Sequence, residues 1–209
     1  MQYEFTNNWF EQSARANWDQ LLPQLKPRRI LEIGSFEGAS TCYLIDSLAA
    51  SSPLEIHCVD TWEGGVEHQA DGVAPTDMAS VARRFDHNVA LATSRAAFPV
   101  QLHKHRETSR TALARLLVEG LAGHFDFVYV DGSHQAPDVL GDAISAWHLT
   151  RRDGVIAFDD YLWAEALPQG VDPIRCPKIA IDAFTTIFCR KIRIISAPLQ
   201  QLYVQKIAD

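Results

Sequence analysis

The chain has 209 residues, a length that suits one domain with small elaborations. Hydrophobic residues make up 47% of it and charged residues 22%, values that exclude extensive disorder. The formal net charge of -7 argues against non-specific binding to nucleic acid or to anionic membranes, so neither is an expected partner.

Short apolar runs and helical patterns alternate along most of the chain. The apolar runs predict strands at 29–33, 55–59, 100–103, 125–130 and 154–158. Apolar residues at helical spacing predict helices at 7–25, where Pro23 suggests a kink or an early end, and at 38–50, 76–91, 109–117 and 137–149. Ser109 is the expected cap of the helix at 109–117. Residues 60–77 form a long polar loop. Strands separated by helices indicate a parallel sheet that is covered on both faces.

The C-terminal part departs from this alternation. A helix at about 179–188 is followed by two β-rich runs, 192–196 and 201–206, with only a short connection between them. So short a connection makes the two runs antiparallel neighbours. We therefore predict a Rossmann-like, doubly wound α/β fold: a mostly parallel, seven-stranded sheet that ends in an antiparallel hairpin, as in class I methyltransferases.

A glycine turn follows the first strand, in the segment LEIGSFEGAST of residues 31–41. Gly34 allows a sharp turn and Gly38 opens the next helix, where free N–H groups point outward. The second strand ends in Asp60, whose carboxylate can accept hydrogen bonds from ribose hydroxyls. Two plainer interpretations stay open: a turn that only joins strand and helix, and an aspartate that only caps a strand.

Carboxylates also end the fourth and fifth strands. Asp131 follows one, and Asp159 and Asp160 follow the other. Because strand carboxyl ends surround the ligand crevice of an open parallel sheet, these groups suit Mg²⁺ or a similar cation, and His134 could act there as a general base. The alternatives are aspartates that bind backbone amides or face water, and a histidine in solvent.

The segments LEIGSFEGAST, VDTWEGG and DFVYVDGSHQAPDVLGDAISAWHLTRRDGVIAFDDY resemble class I S-adenosylmethionine-dependent methyltransferases of the macrocin O-methyltransferase type, over residues 30–161. The resemblance implies S-adenosylmethionine and a divalent cation as cofactors. It implies a catalytic role for His134 and Asp131 and a metal site of Asp131, Asp159 and Asp160. The implied cofactor-binding residues are Glu32, Gly34, Ser35, Gly38, Ser40, Asp60, Thr61, Trp62, Ser109 and Asp131.

The sequence departs from the family pattern at two places. A Gly-Gly pair usually precedes the fifth strand, and here it is Asp153-Gly154. An aromatic residue often follows two positions after the histidine, and here it is Ala136. The first departure predicts a different turn, and the second a different acceptor pocket.

The resemblance implies a single methyltransferase domain over 1–209, with a helical extension at 1–28, a cofactor and metal core at 29–161 and a C-terminal helix and hairpin at 179–209. Residues 162–178 form either a lid over the acceptor or a surface connection. Separate cysteines without a CxxC pair, no signal peptide and no membrane span indicate the cytoplasm. A homodimer is compatible with the sequence.

The expected activity is transfer of a methyl group to a hydroxyl of a sugar or a small polyhydroxylated molecule. Three alternatives remain open: a metal-independent small-molecule methyltransferase, a non-catalytic S-adenosylmethionine-binding protein, and a metal-dependent hydrolase. The hydrolase would leave the glycine turn and Asp60 without a function.

Overall fold

The structure, a computed structural model, describes residues 2–69, 72, 74–165, 167–198 and 200–209. It contains two compact units, Met1–Glu107 and Thr108–Asp209. Residues 70, 71 and 73 of the predicted polar loop and residue 166 of the predicted lid lie outside the described residues. The predicted single domain stays a prediction.

The unit Met1–Glu107 carries three parallel strands in the order β3-β2-β1. They are β1 (Arg29–Ile33), β2 (Leu54–Asp60) and β3 (Val100–Arg106). The helices are α1 (Trp9–Gln12), α2 (Arg15–Leu25), α3 (Ala39–Leu48) and α4 (Met78–Arg95), with a 3₁₀ turn at Val66–His68. The buried run of β1 was predicted with its observed bounds.

The predicted helix at 7–25 is two helices, because Ser13 and Ala14 form a turn between α1 and α2, although both keep right-handed backbone angles. The Ser13 hydroxyl donates to the Trp9 carbonyl, 2.9 Å away, and such bonds from serine compete with regular helical bonding. Pro23 does not end α2, which runs on to Leu25 and stops where Lys26 turns left-handed at φ 46°.

The unit Thr108–Asp209 carries four strands in the order β4-β5-β7-β6. They are β4 (Phe125–Val130), β5 (Thr150–Phe158), β6 (Ile192–Ile195) and β7 (Leu202–Lys206). Its helices are α5 (Ser109–Val118), α6 (Ala136–Leu149) and α7 (Lys178–Ile187), with a 3₁₀ turn at Pro173–Arg175. β4 and β5 are parallel, and β7 runs antiparallel to both β5 and β6.

The fold class is the predicted one: a Rossmann-like, mostly parallel arrangement of seven strands that ends in an antiparallel hairpin. The hairpin connection includes residue 199, which lies outside the described residues. None of the helices within the described ranges combines the length and the apolar character that crossing a membrane requires.

The turn at Asp153-Gly154 lies inside β5, which begins four residues earlier than predicted. Asp153 adopts a left-handed backbone at φ 64°, which aspartate tolerates better than most residues. A Cβ atom on Gly154 would lie 2.7 Å from the Thr150 Cγ2 atom and 2.9 Å from the Arg151 carbonyl oxygen. The second position of this pair therefore requires glycine, whereas the first does not.

Candidate active site

The glycine turn after β1 is held by backbone hydrogen bonds. Gly34 has φ 84° and donates its N–H to the Val59 carbonyl at 2.8 Å. Gly38 has φ 81°, donates to the Ser35 carbonyl at 2.7 Å and occupies the N-cap of α3. A Cβ atom on Gly38 would lie 3.1 Å from the Phe85 ring, so this glycine also lets α4 pack closely.

Glu32 is fully buried beneath this turn. Its carboxylate accepts hydrogen bonds from the hydroxyls of Ser35 and Ser40, each at 2.6 Å, and from the Thr41 hydroxyl. Burial raises the pKa of Glu32, while the three hydroxyls act in the opposite direction. Three of the predicted cofactor residues thus form one buried cluster that orders the turn.

Asp60 lies at the end of β2 and binds the backbone of the same turn. Its Oδ2 atom accepts hydrogen bonds from the N–H groups of Ser35 and Phe36, both at 2.9 Å, and its Oδ1 atom accepts from Trp62 N–H at 2.7 Å. The carboxylate therefore holds two loops together. Its predicted contact with a ribose stays a prediction.

The two residues after Asp60 differ in their surroundings. The Thr61 hydroxyl accepts from Glu63 N–H at 3.1 Å. The Trp62 indole is 2% exposed, donates to the Phe36 carbonyl at 2.9 Å and lies beneath the Lys104 ammonium group, 4.2 Å from the ring centroid. Trp62 therefore supports the loop from inside.

Glu37 was not predicted as part of this turn. Its carboxylate is buried, accepts hydrogen bonds from the backbone and hydroxyl of Thr6, both at 2.7 Å, and forms a 2.5 Å ion pair with Arg84. It ties residues before α1 to the turn and to α4. Nothing in its local sequence distinguishes it, because both partners are distant in the chain.

Ser109 is the first residue of α5, and the N-cap is Thr108, so the sequence-based prediction that Ser109 caps this helix is wrong. The Thr108 side chain accepts from Thr111 N–H at 3.4 Å and thereby takes the capping role. Ser109 instead hydrogen-bonds Asp142 of α6. Burial raises the pKa of Asp142 to about 6, and this hydrogen bond opposes the shift.

Asp131, Asp159 and Asp160 meet at the carboxyl ends of β4 and β5. Each offers a carboxylate oxygen, and these three atoms lie within 4.8 Å of one another. The pairing of β4 with β5 explains why the three aspartates lie close together. Val130 pairs with Phe158, and Asp159 N–H donates to the Val130 carbonyl at 2.9 Å. The donor set fits a hard divalent cation, which prefers oxygen ligands.

Asp159 is the buried member of this cluster, with 8% of its surface exposed. It accepts a hydrogen bond from the buried Tyr129 hydroxyl and one from Asp160 N–H at 2.9 Å. Burial and the adjacent Asp160 carboxylate raise the pKa of Asp159 to about 6. A bound cation would remove the cost of holding these negative charges together.

His134 lies beside the cluster and does not project into solvent. Its Nε2 atom is 2.9 Å from Asp160 Oδ2, and its ring stacks on Trp163 with centroids 4.2 Å apart. The side chain is 16% exposed. The two contacts fix both the position and the plane of the imidazole ring.

A pocket in the unit Thr108–Asp209 contains these groups. Its lining combines the acidic cluster and His134 with apolar residues from β4, β5, α6 and α7: Val130, Asp131, Gly132, Ser133, His134, Val139, Phe158, Asp159, Asp160, Pro177 and Ile181. Pro177 belongs to the segment 162–178, and Trp163 of the same segment stacks on His134. The described part of this segment therefore borders the pocket.

Sequence reasoning missed Tyr129 and Trp163 as neighbours of the site. Tyr129 precedes Asp131 by two residues on β4, so strand alternation could have placed both side chains on one face. Trp163 follows Asp160 by three residues, and its N–H donates to the Asp160 carbonyl at 2.9 Å. No periodic signal predicts that tight turn.

Many solved structures are similar to the chain, among them two O-methyltransferases. The O-methyltransferase TomG from Streptomyces achromogenes, involved in tomaymycin synthesis and solved with SAM, has a TM-score of 0.60 and 22% identity, with 90% of this chain and 77% of that chain covered. The Bacillus cereus O-methyltransferase, solved with SAH, has a TM-score of 0.60 and 18% identity, with coverage of 99% and 84%. At such identities the likeness shows the fold alone.

No curated protein matches the chain significantly. A family model described as a methyltransferase domain matches residues 31–161, more than half of the chain. The narrower resemblance to macrocin O-methyltransferases stays a prediction. The residues that match the family model run from the glycine turn to the acidic cluster and include His134. The chain therefore belongs to this family of methyltransferases.

Proposed function

We propose that the protein is an S-adenosylmethionine-dependent O-methyltransferase acting on a small hydroxylated molecule, with a divalent cation such as Mg²⁺ at the acidic cluster. The observation that carries the proposal is the group formed by Asp131, Asp159 and Asp160 with His134 against Asp160. Family membership supplies the methyl-transfer reaction, and the solved neighbours with SAM or SAH support the cofactor.

The glycine turn is the proposed cofactor site. Gly34 and Gly38 would let the backbone approach a ligand closely, and the N-terminus of α3 would offer N–H groups there. Glu32, Ser35 and Ser40 hold the turn in one conformation, and Asp60 holds it from β2. In this proposal they act mainly as positioning residues, and Asp60 also contacts the ribose.

The acceptor hydroxyl is proposed to bind in the pocket beside His134. A cation held by the three aspartates would supply Lewis-acid stabilisation of the oxygen that loses its proton. With the Nε2 proton donated to Asp160, the Nδ1 atom of neutral His134 is the acceptor for that proton. The resulting oxygen nucleophile would form a bond to the sulfonium methyl group as the S–CH₃ bond breaks, which leaves S-adenosylhomocysteine.

Val139, Phe158 and Ile181 form the buried floor of this pocket, so a small acceptor would contact mainly its polar rim of Asp131, Ser133 and His134. A sugar or another polyhydroxylated molecule is the proposed class, and it rests on the resemblance to macrocin O-methyltransferases. The cytoplasm is the proposed location, in keeping with four cysteines that are all free.

One observation favours a second candidate, a metal-independent methyltransferase. Asp160 already binds His134, and Asp159 already binds the Tyr129 hydroxyl, so protein groups already hold both of these carboxylates. In this alternative the Asp160–His134 pair alone takes the proton, as a carboxylate–imidazole dyad.

The test measures S-adenosylhomocysteine formation with a panel of sugars and phenols, in a chelator and with added Mg²⁺, and cofactor binding by calorimetry. We expect activity only with the cation. The His134→Ala variant should bind cofactor normally yet turn over about 10²–10⁴-fold more slowly. Full activity in chelator would establish the dyad instead, and a wild type that binds no cofactor would end the methyltransferase proposal.

A further inference from the structure

A second group of metal-binding side chains lies in the unit Met1–Glu107, on strands β2 and β3. The parallel register pairs His57 with His103 and Val59 with His105, so these side chains share one face of the strand pair. Glu55 precedes His57 by two residues and therefore points to the same face. None of these residues belongs to the site proposed for methyl transfer.

The side chains of this histidine cluster, defined as Glu55, His57, His103 and His105, touch one another. The His57 Nε2 atom is 3.1 Å from Glu55 Oε1, and its Nδ1 atom is 3.0 Å from His105 Nε2. The rings of His57 and His103 stack with centroids 4.2 Å apart.

Three members of the cluster offer one ligand atom each within a small volume. Suitable atoms of Glu55, His57 and His103 lie within 4.8 Å of one another. Ligand atoms around a tetrahedral Zn²⁺ ion are about 3.4 Å apart, given metal–ligand distances of about 2.0–2.1 Å. Side-chain rotations that close the group by roughly 1–1.5 Å would complete the geometry.

We propose that Glu55, His57 and His103 bind a borderline divalent cation of the Zn²⁺ type, and that His105 orients His57. In this site His57 binds through Nε2, the nitrogen that already faces Glu55. Its Nδ1 atom keeps the hydrogen bond to His105, which would fix the tautomer of the metal-bound imidazole in the way that a carboxylate or a backbone carbonyl does in other metal sites.

Ligand chemistry separates this site from the acidic cluster. Two imidazoles and one carboxylate suit Zn²⁺, Ni²⁺ or Cu²⁺, whereas three carboxylates suit Mg²⁺ or Ca²⁺. Three protein ligands leave a fourth position for water. The proposal is therefore independent of the methyltransferase mechanism and does not depend on its metal.

Burial and strand order indicate what the ion would do. The His57 side chain is 6% exposed, the Glu55 side chain is 25% exposed, and His103 is also partly exposed. An ion from solvent can therefore reach the buried His57 by way of Glu55 and His103. β3 is the outermost strand in its sheet order. An ion bound by residues of both strands would fasten this edge strand to β2.

The experiment uses the full chain without a polyhistidine tag and titrates it with Co²⁺, whose visible absorption reports tetrahedral binding. His103→Asn and Glu55→Gln remove one ligand each. His148→Asn is the matched control, an exposed histidine of α6. Asp160→Asn reports on the acidic cluster. Zn²⁺ then competes for Co²⁺, and thermal unfolding is measured with and without Zn²⁺.

We expect one tetrahedral Co²⁺ per chain that Zn²⁺ displaces and excess Mg²⁺ does not. The dissociation constant should rise at least about tenfold in His103→Asn and Glu55→Gln and stay unchanged in the control and in Asp160→Asn. Zn²⁺ at 100 times its dissociation constant should raise the Tm of the wild type by about 5–10 °C.

Three results would overturn the proposal. They are no tetrahedral Co²⁺ signal, equal Co²⁺ binding in both ligand variants, and a signal that is lost in Asp160→Asn but kept in His103→Asn. If His103→Asn fails to fold by circular dichroism, the nearly isosteric Glu55→Gln decides, because it keeps size and hydrogen bonding while removing the charged ligand.

Discussion

Replacing Asp159 by asparagine should stabilise the metal-free protein while abolishing cation binding. The carboxyl group is buried beside Asp160, and its pKa is raised from 3.8 to about 6. A shift of about 2 units corresponds to about 3 kcal/mol of unfolding free energy lost when the group is ionised. The asparagine amide avoids that cost but forms a weaker hydrogen bond with the Tyr129 hydroxyl. We therefore expect the free energy of unfolding to rise by about 1–3 kcal/mol.

The pH dependence gives the sharper test. Because the folded state holds this proton more tightly than the unfolded state, the cost is absent below pH 3.8 and complete above about pH 6. The wild type should therefore lose stability relative to Asp159→Asn as pH rises through this window. Above it the difference should stay constant.

The assay is urea unfolding at a series of pH values with a chelator present. The matched control is Asp153→Asn, because Asp153 is exposed and asparagine tolerates its left-handed backbone. With Mg²⁺ or Mn²⁺ added at pH 7.5, the wild type should gain stability and Asp159→Asn should not. A stability difference that does not change between pH 4 and 7 in chelator would refute the reasoning.

Two further predictions concern the glycine turn. Gly38→Ala should destabilise the protein by about 1–3 kcal/mol in urea unfolding, because alanine is strained at positive φ and its Cβ would press on Phe85. The control Gly141→Ala lies on an open face of α6 and should be neutral or stabilising by up to about 1 kcal/mol. Asp60→Asn should weaken S-adenosylhomocysteine binding by about 1–3 kcal/mol in calorimetry, and unchanged affinity would limit Asp60 to holding the loops.

Strands with continuous apolar runs were predictable, and strands with polar ends were not. β1 and β4 have their predicted bounds because both are buried along nearly their whole length. β3 was predicted to end at His103 but continues to Arg106, since an outermost strand need not be apolar. β5 begins at Thr150 in a polar stretch that breaks the buried pattern.

The acidic cluster was predictable because its position follows from topology alone. Aspartates directly after two neighbouring parallel strands meet at one edge of the sheet, wherever the helices pack. The contacts of His134 were not predictable, because they depend on where Trp163 lies after a turn with Asp160 at φ 54°. The roles of Trp62 and Glu37 depend on packing against α4, which periodicity does not report.

The turn at Asp153-Gly154 bears on how related chains are recognised. A sequence search pattern that requires glycine at both positions of this pair would reject the chain. Only the second position, Gly154, lies so close to neighbouring atoms that a side chain is excluded. The first position needs only a residue that accepts a left-handed backbone, which asparagine and aspartate do. A pattern that admits glycine, asparagine or aspartate first, and glycine alone second, would describe the physical requirement and retain chains of this kind.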